Sequence, residues 1–131
     1  MRHFTLQLLD STQTMRIGDV EAFAGTDRSG SFGILAGHAR FMTTLIFGLA
    51  RFRPSGSDWQ YVAVPGALLS FAENELTLST RHFLIDADLD RIATALDEQL
   101  LVEEEDLRAT RESLRRMEEE ALKRLWRLGR T

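Results

Sequence analysis

Residues 30–41, GSFGILAGHARF, combine glycine and histidine in a way that suits several kinds of chemistry. Gly30, Gly33 and Gly37 would let the backbone approach a phosphate closely, and His38 would serve as a metal ligand or a general base. The same residues would equally suit a surface shaped to receive another protein. Each interpretation requires a different set of further residues elsewhere in the chain. Whether the sequence contains those residues distinguishes the interpretations.

The companions that phosphate or nucleophile chemistry requires are missing from the sequence. A nucleotide-binding loop of the G-x-x-x-x-G-K-[ST] type needs a lysine directly after its second glycine, but the chain's single lysine is Lys123. No G-x-S-x-G motif is present to place a serine nucleophile on a strand-to-helix turn. We therefore predict no catalytic residue and no bound cofactor.

The histidines do not form a metal-binding pattern either. His3, His38 and His82 lie far apart, without the short spacing that places two ligands on one helix or strand. The chain has no cysteine, which excludes both disulfides and thiolate ligands. We predict no metal site, and the glycine-rich segment is interpreted as a surface for a protein partner.

Composition narrows the class of protein further. The chain has 131 residues, of which 44% are hydrophobic and 27% are charged, as in soluble globular proteins. Its formal net charge of −4 argues against a nucleic-acid partner of the basic-patch kind. No apolar run approaches the roughly 18 residues of a membrane-spanning helix, so a cytoplasmic protein is expected.

Residues 1–86 carry the pattern of short β-strands. In HFTLQLL, the apolar Phe4, Leu6 and Leu8 alternate with Thr5 and Gln7, which predicts a half-buried strand. Similar apolar runs follow, separated by turn sequences such as GTDRSG, PSGSD and AENE. Strands at this regular spacing, with no helix between them, predict an antiparallel β-sandwich or barrel.

Residues 87–131 follow a helical pattern instead. Between Asp88 and Leu128 there is no proline or glycine, and acids crowd the start while bases crowd the end, as the helix dipole favours. Apolar residues recur every three, four or seven positions, which predicts one apolar stripe. The stripe comprises Ile92, Leu96, Leu100, Leu107, Leu114, Met117, Ala121, Leu125 and Leu128.

A helix of this length leaves two arrangements open. At about 1.5 Å per residue, a single straight helix would be roughly 60 Å long and would expose its stripe. The acidic sequence VEEED at 102–106 interrupts the stripe and is the favoured reversal point for a two-helix hairpin. No glycine or proline marks a turn there, so a straight, extended helix is the alternative. The predicted fold class is therefore α+β, with an N-terminal antiparallel β-sandwich followed by a C-terminal two-helix tail that is either a hairpin or extended.

The tail carries a basic segment beyond its acidic stretch. Such a segment usually forms a solvated helix face, but it can also dock on the acidic surface of a partner. Trp126 follows among further arginines, where it either packs beside the leucine stripe or joins the same contact. The basic segment comprises Arg108, Arg111, Arg115, Arg116 and Lys123.

The order of these features resembles the epsilon subunit of F-type ATP synthases. GSFGILAGHARFMTTL is similar to that family's glycine-rich strand followed by Gly-His-Ala. WQYVAVPGALLSFAENELTLST is similar to the hairpin, glycine turn and strand that come next, so the resemblance covers essentially the whole chain in order. GSFGIL, LSTRHF and KRLWRLG are in addition similar to the alternate, N-ATPase branch of the family.

The resemblance implies a non-catalytic role in the central rotor. The sandwich would bind the gamma subunit and rest on the membrane-embedded c-ring, at the cytoplasmic face of the inner membrane. The tail would permit turnover when folded on the sandwich, and would block ATP hydrolysis when its basic segment and Trp126 extend toward the alpha and beta subunits. The isolated chain would be a monomer. The implied docking residues are Ser31, Phe32, Gly33, Gly37, His38 and Arg40.

Three departures from the family pattern bear on that role. Ala36 and Arg40 occupy positions where family members usually carry proline, which predicts a less rigid loop. Ser31 and Phe32 stand where an acidic residue is common. Ala93 replaces the arginine of the pattern through which some members bind ATP between the tail helices, so no ATP binding is expected.

Two rival interpretations remain. A free-standing adaptor would use the sandwich for one partner and the helix for self-association, although Glu103, Thr110 and Arg124 break the second heptad line of a coiled coil. A small enzyme would use His38, which lacks companions. The adaptor predicts a dimer in solution, and the rotor subunit predicts a monomer.

Overall fold

A computed structural model describes residues 3–129. Within that range it contains nine strands followed by a helical segment, in the order that the sequence predicts. The strands are β1 (Phe4–Leu9), β2 (Thr14–Asp27), β3 (Gly30–Leu35), β4 (Phe41–Leu45), β5 (Gly48–Pro54), β6 (Gln60–Val64), β7 (Ala67–Ala72), β8 (Glu75–Ser79) and β9 (Leu84–Asp86). The helical segment comprises α1 (Leu89–Ala95), a π-helical turn (Leu96–Leu100) and α2 (Leu101–Gly129).

The longest strand, β2, belongs to both layers of the sandwich. Its first half pairs with β1, with Ile17 opposite Leu6, and its second half pairs with β3 and β5. Both registers shift near Val20, and the neighbouring Asp19 has a φ of 55°, a conformation that aspartate tolerates better than most residues. This irregularity bends β2 from one layer into the other.

The remaining strands divide between the two layers. One layer contains β1, β8, β7 and β4, and the other contains β3, β5, β6 and β9. Among the described pairs, all are antiparallel except β1 and β8, which run parallel with Leu6 beside Leu76. Antiparallel hairpins follow from short turns in the sequence, whereas the parallel pair joins the two ends of the sandwich sequence and leaves no local signal.

The alternating apolar side chains of the strands meet between the layers. Phe4, Leu6 and Leu8 of β1 are all buried, as the alternation in HFTLQLL predicts. The ring of Phe71 in β7 stands edge-on to that of Phe4, with 5.7 Å between centroids. Burial of apolar surface stabilises the fold by about 25 cal/mol per Å². Other buried members of this core include Phe23, Ile34, Phe52, Val62, Leu69, Leu76 and Leu78.

The start of the helical segment lies on the outer face of the layer that contains β6. Ile92 and Leu100 are buried there against Ala63, with Leu49 and Leu84 beside them. In a regular α-helix, residues eight apart point about 80° away from one another. The π-helical turn between Ile92 and Leu100 holds more residues per turn, which brings both side chains onto the sheet.

The helical tail is a single extended helix, so the hairpin predicted at residues 102–106 is wrong and the extended alternative is confirmed. Residues 89–129 form one segment of 41 residues. The acidic stretch does not reverse the chain, because two of its members pair with the sandwich. Glu104 pairs with Arg81, and the carboxylate of Glu103 lies 3.2 Å from Nδ1 of His82.

Beyond this contact α2 projects into solvent. None of its described residues is buried, and Leu114 and Leu128 are 55% and 71% exposed. Within residues 3–129, no helix combines the length and the apolar character needed to cross a membrane. The apolar stripe predicted from the spacing is therefore covered at its start and uncovered over most of its length.

Candidate functional site

The sandwich has two distinct ends, and β1 runs from one to the other. At the end termed the loop end, residues 36–40, residues 73–74 and His3 lie together. At the opposite end, termed the helix end, the turn at 10–13 contacts the connection at 80–83, which in turn contacts the first turn of α2. The glycine-rich segment and the projecting helix thus leave the sandwich at opposite ends.

The docking loop, residues 36–40, begins with a tight turn. The backbone N–H of His38 donates to the carbonyl of Leu35 at 3.1 Å, which closes the turn over Ala36 and Gly37. Gly37 has a φ of 80°, a conformation that glycine adopts without the steric cost of a side chain. The glycine that the sequence singles out is therefore required by the backbone at this position.

His38 is exposed on the docking loop and is held by two kinds of contact. Its Nδ1 lies 2.7 Å from the carbonyl of Ala39, and because a carbonyl only accepts, Nδ1 carries the proton. Its ring stands edge-on to Phe41 and Phe71, at 5.7 and 5.8 Å between centroids.

The six residues predicted for docking are divided between two places. Gly37, His38 and Arg40 lie together and exposed on the docking loop. Ser31, Phe32 and Gly33 lie on β3 instead. Phe32 packs against the core, 5.4 Å from the ring of Phe41, while Ser31 and Gly33 are exposed and the Ser31 hydroxyl lies 3.3 Å from that of Thr26. The structure therefore brings together only half of the predicted set at the loop end.

Asn74 is a residue of the loop end that the sequence reasoning missed. It lies in the sequence AENE, whose composition indicates only a turn between strands. Its side-chain oxygen accepts a hydrogen bond from the backbone N–H of Gly37 at 2.9 Å, and its amide donates to the carbonyl of His3 at 2.5 Å. An asparagine in a two-residue hairpin turn was the available signal, because it suits a positive φ.

The residues predicted for the regulatory tail all lie on the exposed α2. Spacings of three and four residues place Arg108, Arg111 and Arg115 on one side of the helix, next to the apolar stripe. Trp126 lies about three turns beyond Arg115 and so on the same side, and it is 64% exposed. Arg116 and Lys123 are exposed farther around the helix. The tail thus presents an apolar stripe flanked by positive charge.

The helix end is organised by the carboxylate of Asp10. It accepts hydrogen bonds from the backbone N–H groups of Thr12 and Gln13 at 2.8 Å each, and from that of Phe83 at 3.3 Å. Burial raises the pKa of Asp10, but these bonds and those from the side chains of Thr12 and Gln13 hold the pKa well below its usual range. The connection that contacts α2 is therefore fixed to the β1–β2 turn.

The junction between the sandwich and α1 contains a second charged contact. The guanidinium of Arg91 donates twice to the carboxylate of Asp86, at 2.5 and 2.9 Å, while Asp88 caps α1 by accepting from the Arg91 backbone N–H at 3.1 Å. The hydrogen bond from Arg91, followed by that from the backbone of Asp88, lowers the pKa of Asp86 to about 2.

This lowered pKa predicts how the junction responds to acid. A carboxyl whose pKa is lower in the folded than in the unfolded protein stabilises the fold fully above the unfolded value, here 3.8, and loses that contribution as the pH falls toward 2. We expect the free energy of unfolding of the wild type to exceed that of Asp86→Asn by a constant amount above about pH 5, and the difference to shrink below pH 3.8. Urea unfolding of both proteins across this range measures it. A difference that grows in acid would contradict the assignment.

The histidines of the described residues do not gather into a metal site. Among residues 3–129, no group of three histidine, aspartate or glutamate side chains is placed to hold a metal ion. His82 lies at the helix end, and His3 has its Nε2 3.9 Å from Glu21.

Comparison with known proteins places the chain in a family. The family model described as "ATP synthase, Delta/Epsilon chain, beta-sandwich domain" matches residues 3–85. The chain belongs to this family. The match ends within β9, so the helical tail of this delta/epsilon-family chain lies outside it.

The relatives of this delta/epsilon-family chain include epsilon chains of bacterial ATP synthases. It is 30% identical over 87 residues to the ATP synthase epsilon chain of Prochloron didemni, which covers 66% of this chain and 63% of that relative. It is 30% identical over 102 residues to the ATP synthase epsilon chain 2 of Cereibacter sphaeroides, which covers 77% and 70% respectively. The chain thus spans less than two thirds of the length of the first of these relatives.

Two solved structures contain chains of similar fold. One is the Euglena gracilis mitochondrial ATP synthase, OSCP/F1/c-ring, with a TM-score of 0.61, 19% identity and coverage of 75% of this chain and 64% of that chain. The other is the central stalk/c-ring of the Tetrahymena thermophila mitochondrial ATP synthase, with a TM-score of 0.53, 10% identity and coverage of 61% and 64%. At these identities the likeness shows the fold alone.

Proposed function

We propose that this delta/epsilon-family chain is the epsilon subunit in the central stalk of a rotary ATP synthase, a non-catalytic part of the rotor. The observation that carries the proposal is the position of its two exposed features at opposite ends of one sandwich. A chain built in this way reaches the membrane ring with its loop end and the catalytic head with its projecting helix.

The docking loop is proposed to contact the polar loops of the c-ring. Gly37 lets the backbone turn tightly, and His38 and Arg40 are exposed there as a hydrogen-bonding group and a positive charge. The exposed Ser31 and Gly33 lie on β3 outside the docking loop, and a contact through them is proposed as a separate one. The chain is proposed to transmit torque without taking part in catalysis. It is also proposed to lie at the cytoplasmic face of the inner membrane through the complex.

The gamma subunit is proposed to bind the sheet face that the helical segment leaves open. The helical segment covers the outer face of the layer containing β5, β6 and β9. The outer face of the other layer stays uncovered, and Met42 and Leu68 on its adjacent strands are 67% and 49% exposed. Apolar side chains on an uncovered sheet face are typical of a protein interface.

The helical tail is proposed to regulate ATP hydrolysis in its extended form. Its uncovered apolar stripe would bury itself between gamma and the catalytic subunits, and its basic segment would meet acidic surface there. A partner can shift the tail from a folded to an extended state if the free energies of the two states differ by only a few kcal/mol.

The N-ATPase branch is proposed as the more specific assignment within the family. The segments GSFGIL, LSTRHF and KRLWRLG resemble that branch. A relative named epsilon chain 2 matches 77% of this chain, and this name is compatible with the assignment. Genes for the other subunits of an alternate ATPase beside the gene for this chain would test it, and their absence would contradict it.

Co-purification from the native host tests the rotor function. The chain is tagged, membranes are extracted gently, and the recovered proteins are identified. We expect alpha, beta, gamma and c-ring subunits with the wild type, and less c-ring with the exposed double variant His38→Ala/Arg40→Ala. Recovery of the chain alone would mean that its likeness to rotor subunits is limited to the fold.

The exposed stripe of α2 favours one second candidate, the adaptor that self-associates through its helix. This candidate predicts a dimer of the isolated chain, whereas the rotor subunit is proposed to be a monomer. Light scattering at two protein concentrations distinguishes them. A dimer that dissociates when Leu114 and Leu125 are both replaced by Gln would favour the adaptor.

A further inference from the structure

The conformation of the docking loop depends on a residue outside it. The loop's own closing hydrogen bond joins His38 to Leu35, across a single turn that contains a glycine. Neither Ala36 nor Arg40 restricts the backbone as a proline would. A turn of this kind in solvent is weakly defined by itself, because glycine adopts many conformations at little cost.

Asn74 supplies the long-range contact that the loop needs. It occupies the turn between β7 and β8, where Glu73 and Asn74 both have positive φ, of 51° and 61°. Asparagine suits this conformation, and the two-residue turn fixes where its side chain leaves the backbone. The turn is also anchored, because the backbone carbonyl of Asn74 accepts from the N–H of Thr5 at 3.2 Å.

The two ends of the Asn74 amide bind two different segments. Its oxygen accepts from the N–H of Gly37 at 2.9 Å, and its nitrogen donates to the carbonyl of His3 at 2.5 Å. The side chain therefore bridges the docking loop and the start of β1. The peptide before Gly37 is held with its N–H toward the turn, which sets the direction in which His38 and Arg40 leave the sandwich.

We propose that Asn74 is a positioning residue for the docking loop. In this role it acts through the loop. It holds the Gly37 peptide so that His38 and Arg40 are presented to the c-ring in one arrangement instead of several. This inference rests on the proposed function for its consequence in binding, but the positioning itself is a property of the isolated chain.

Three variants separate the contributions of Asn74. Asn74→Gly keeps the positive φ and removes the side-chain hydrogen bonds to Gly37 and His3. Asn74→Asp keeps an acceptor for the Gly37 N–H and removes the donor to His3. Glu73→Gly is the matched control, because it lies in the same turn with the same sign of φ and its side chain is exposed.

The first measurement is hydrogen exchange of the Gly37 amide, followed by NMR in the full-length chain. We expect about tenfold faster exchange in Asn74→Gly, little change in Asn74→Asp, and none in Glu73→Gly. The amides of β7 and β8 should exchange as in the wild type, which shows that the hairpin is intact. Unchanged Gly37 exchange in Asn74→Gly would overturn the inference.

The second measurement is binding to native membranes that carry the remaining ATP synthase subunits but lack this chain. We expect the affinity of Asn74→Gly to fall about tenfold and that of Asn74→Asp to stay near wild type. Faster Gly37 exchange with unchanged affinity would overturn the role in docking. If the wild type itself fails to bind, the proposed function is wrong, and the exchange result still decides whether Asn74 positions the loop.

Discussion

A chain that ends after Glu104 is expected to raise ATP hydrolysis by the assembled complex about fivefold or more, the lower range of typical allosteric coupling. The removed residues are the part of α2 that projects beyond the sandwich and carries the basic segment. If this part blocks turnover by inserting into the catalytic head, its removal allows the rotor to turn. The loop end is still present in the truncated chain and keeps its proposed contact with the c-ring.

The position of this truncation follows from the packing of the helix. Ile92 and Leu100 stay buried on Ala63, and Glu103 and Glu104 keep their partners His82 and Arg81. Because α2 contains no buried residue, the truncation uncovers no core. Ending the chain after Ile85 would instead expose Ala63, Leu49 and Leu84 to solvent. A change in hydrolysis could then result from lost stability as well as from lost regulation.

Steady-state hydrolysis of complexes reconstituted with each chain gives the result. The melting temperature of the isolated truncated chain should equal that of the full-length chain, which is the control for folding. A full-length variant with Arg108, Arg111 and Arg115 replaced by Gln should give an intermediate rate if charge contributes to the block. Equal hydrolysis with and without residues 105–131 would show that the tail does not inhibit.

Phe71→Ala is expected to lower the free energy of unfolding by about 3–5 kcal/mol, the usual cost of removing a buried phenylalanine ring. Phe71 is completely buried in β7, and its ring contacts those of Phe4 and His38 edge-on. A domain of this size is stable by only about 5–15 kcal/mol, so the variant should lie close to the unfolding threshold.

Urea unfolding followed by circular dichroism measures this loss, provided that the dependence on urea stays the same. Met42→Ala is the matched control, since Met42 is 67% exposed on the neighbouring β4 and should change the stability by no more than about 0.5 kcal/mol. Similar losses in the two variants would mean that Phe71 does not lie at the centre of the core.

The sequence predicts the local features of the fold well, because they depend on neighbouring residues. Alternation in HFTLQLL identifies Phe4, Leu6 and Leu8 as the buried side of β1, and all three are buried. The carboxylate of Asp88 begins the helix as the cluster of acids at its start indicates. The glycine at position 37 is needed by the turn in which it lies.

Sequence patterns predict a residue's role less well where that role depends on a partner distant in the chain. Leu100 and Leu114 lie in one apolar stripe, yet Leu100 is buried and Leu114 is 55% exposed, because the sheet extends under only the first part of the helix. The sequence predicts a reversal of the chain around Glu103 and Glu104, and these residues instead pair with His82 and Arg81.

By itself, the sequence determined the strand and helix periods, the order of the elements, the buried side of β1 and the absence of nucleotide-binding and nucleophile motifs. Only the tertiary structure decided the straight course of the tail, the parallel pairing of β1 with β8, and the contact of Asn74 with Gly37. The physical reason is that a periodic pattern states which side of an element is apolar and leaves its partner undefined. Which elements pack against one another is decided only when the whole chain folds. The loop end and the helix end form at that stage.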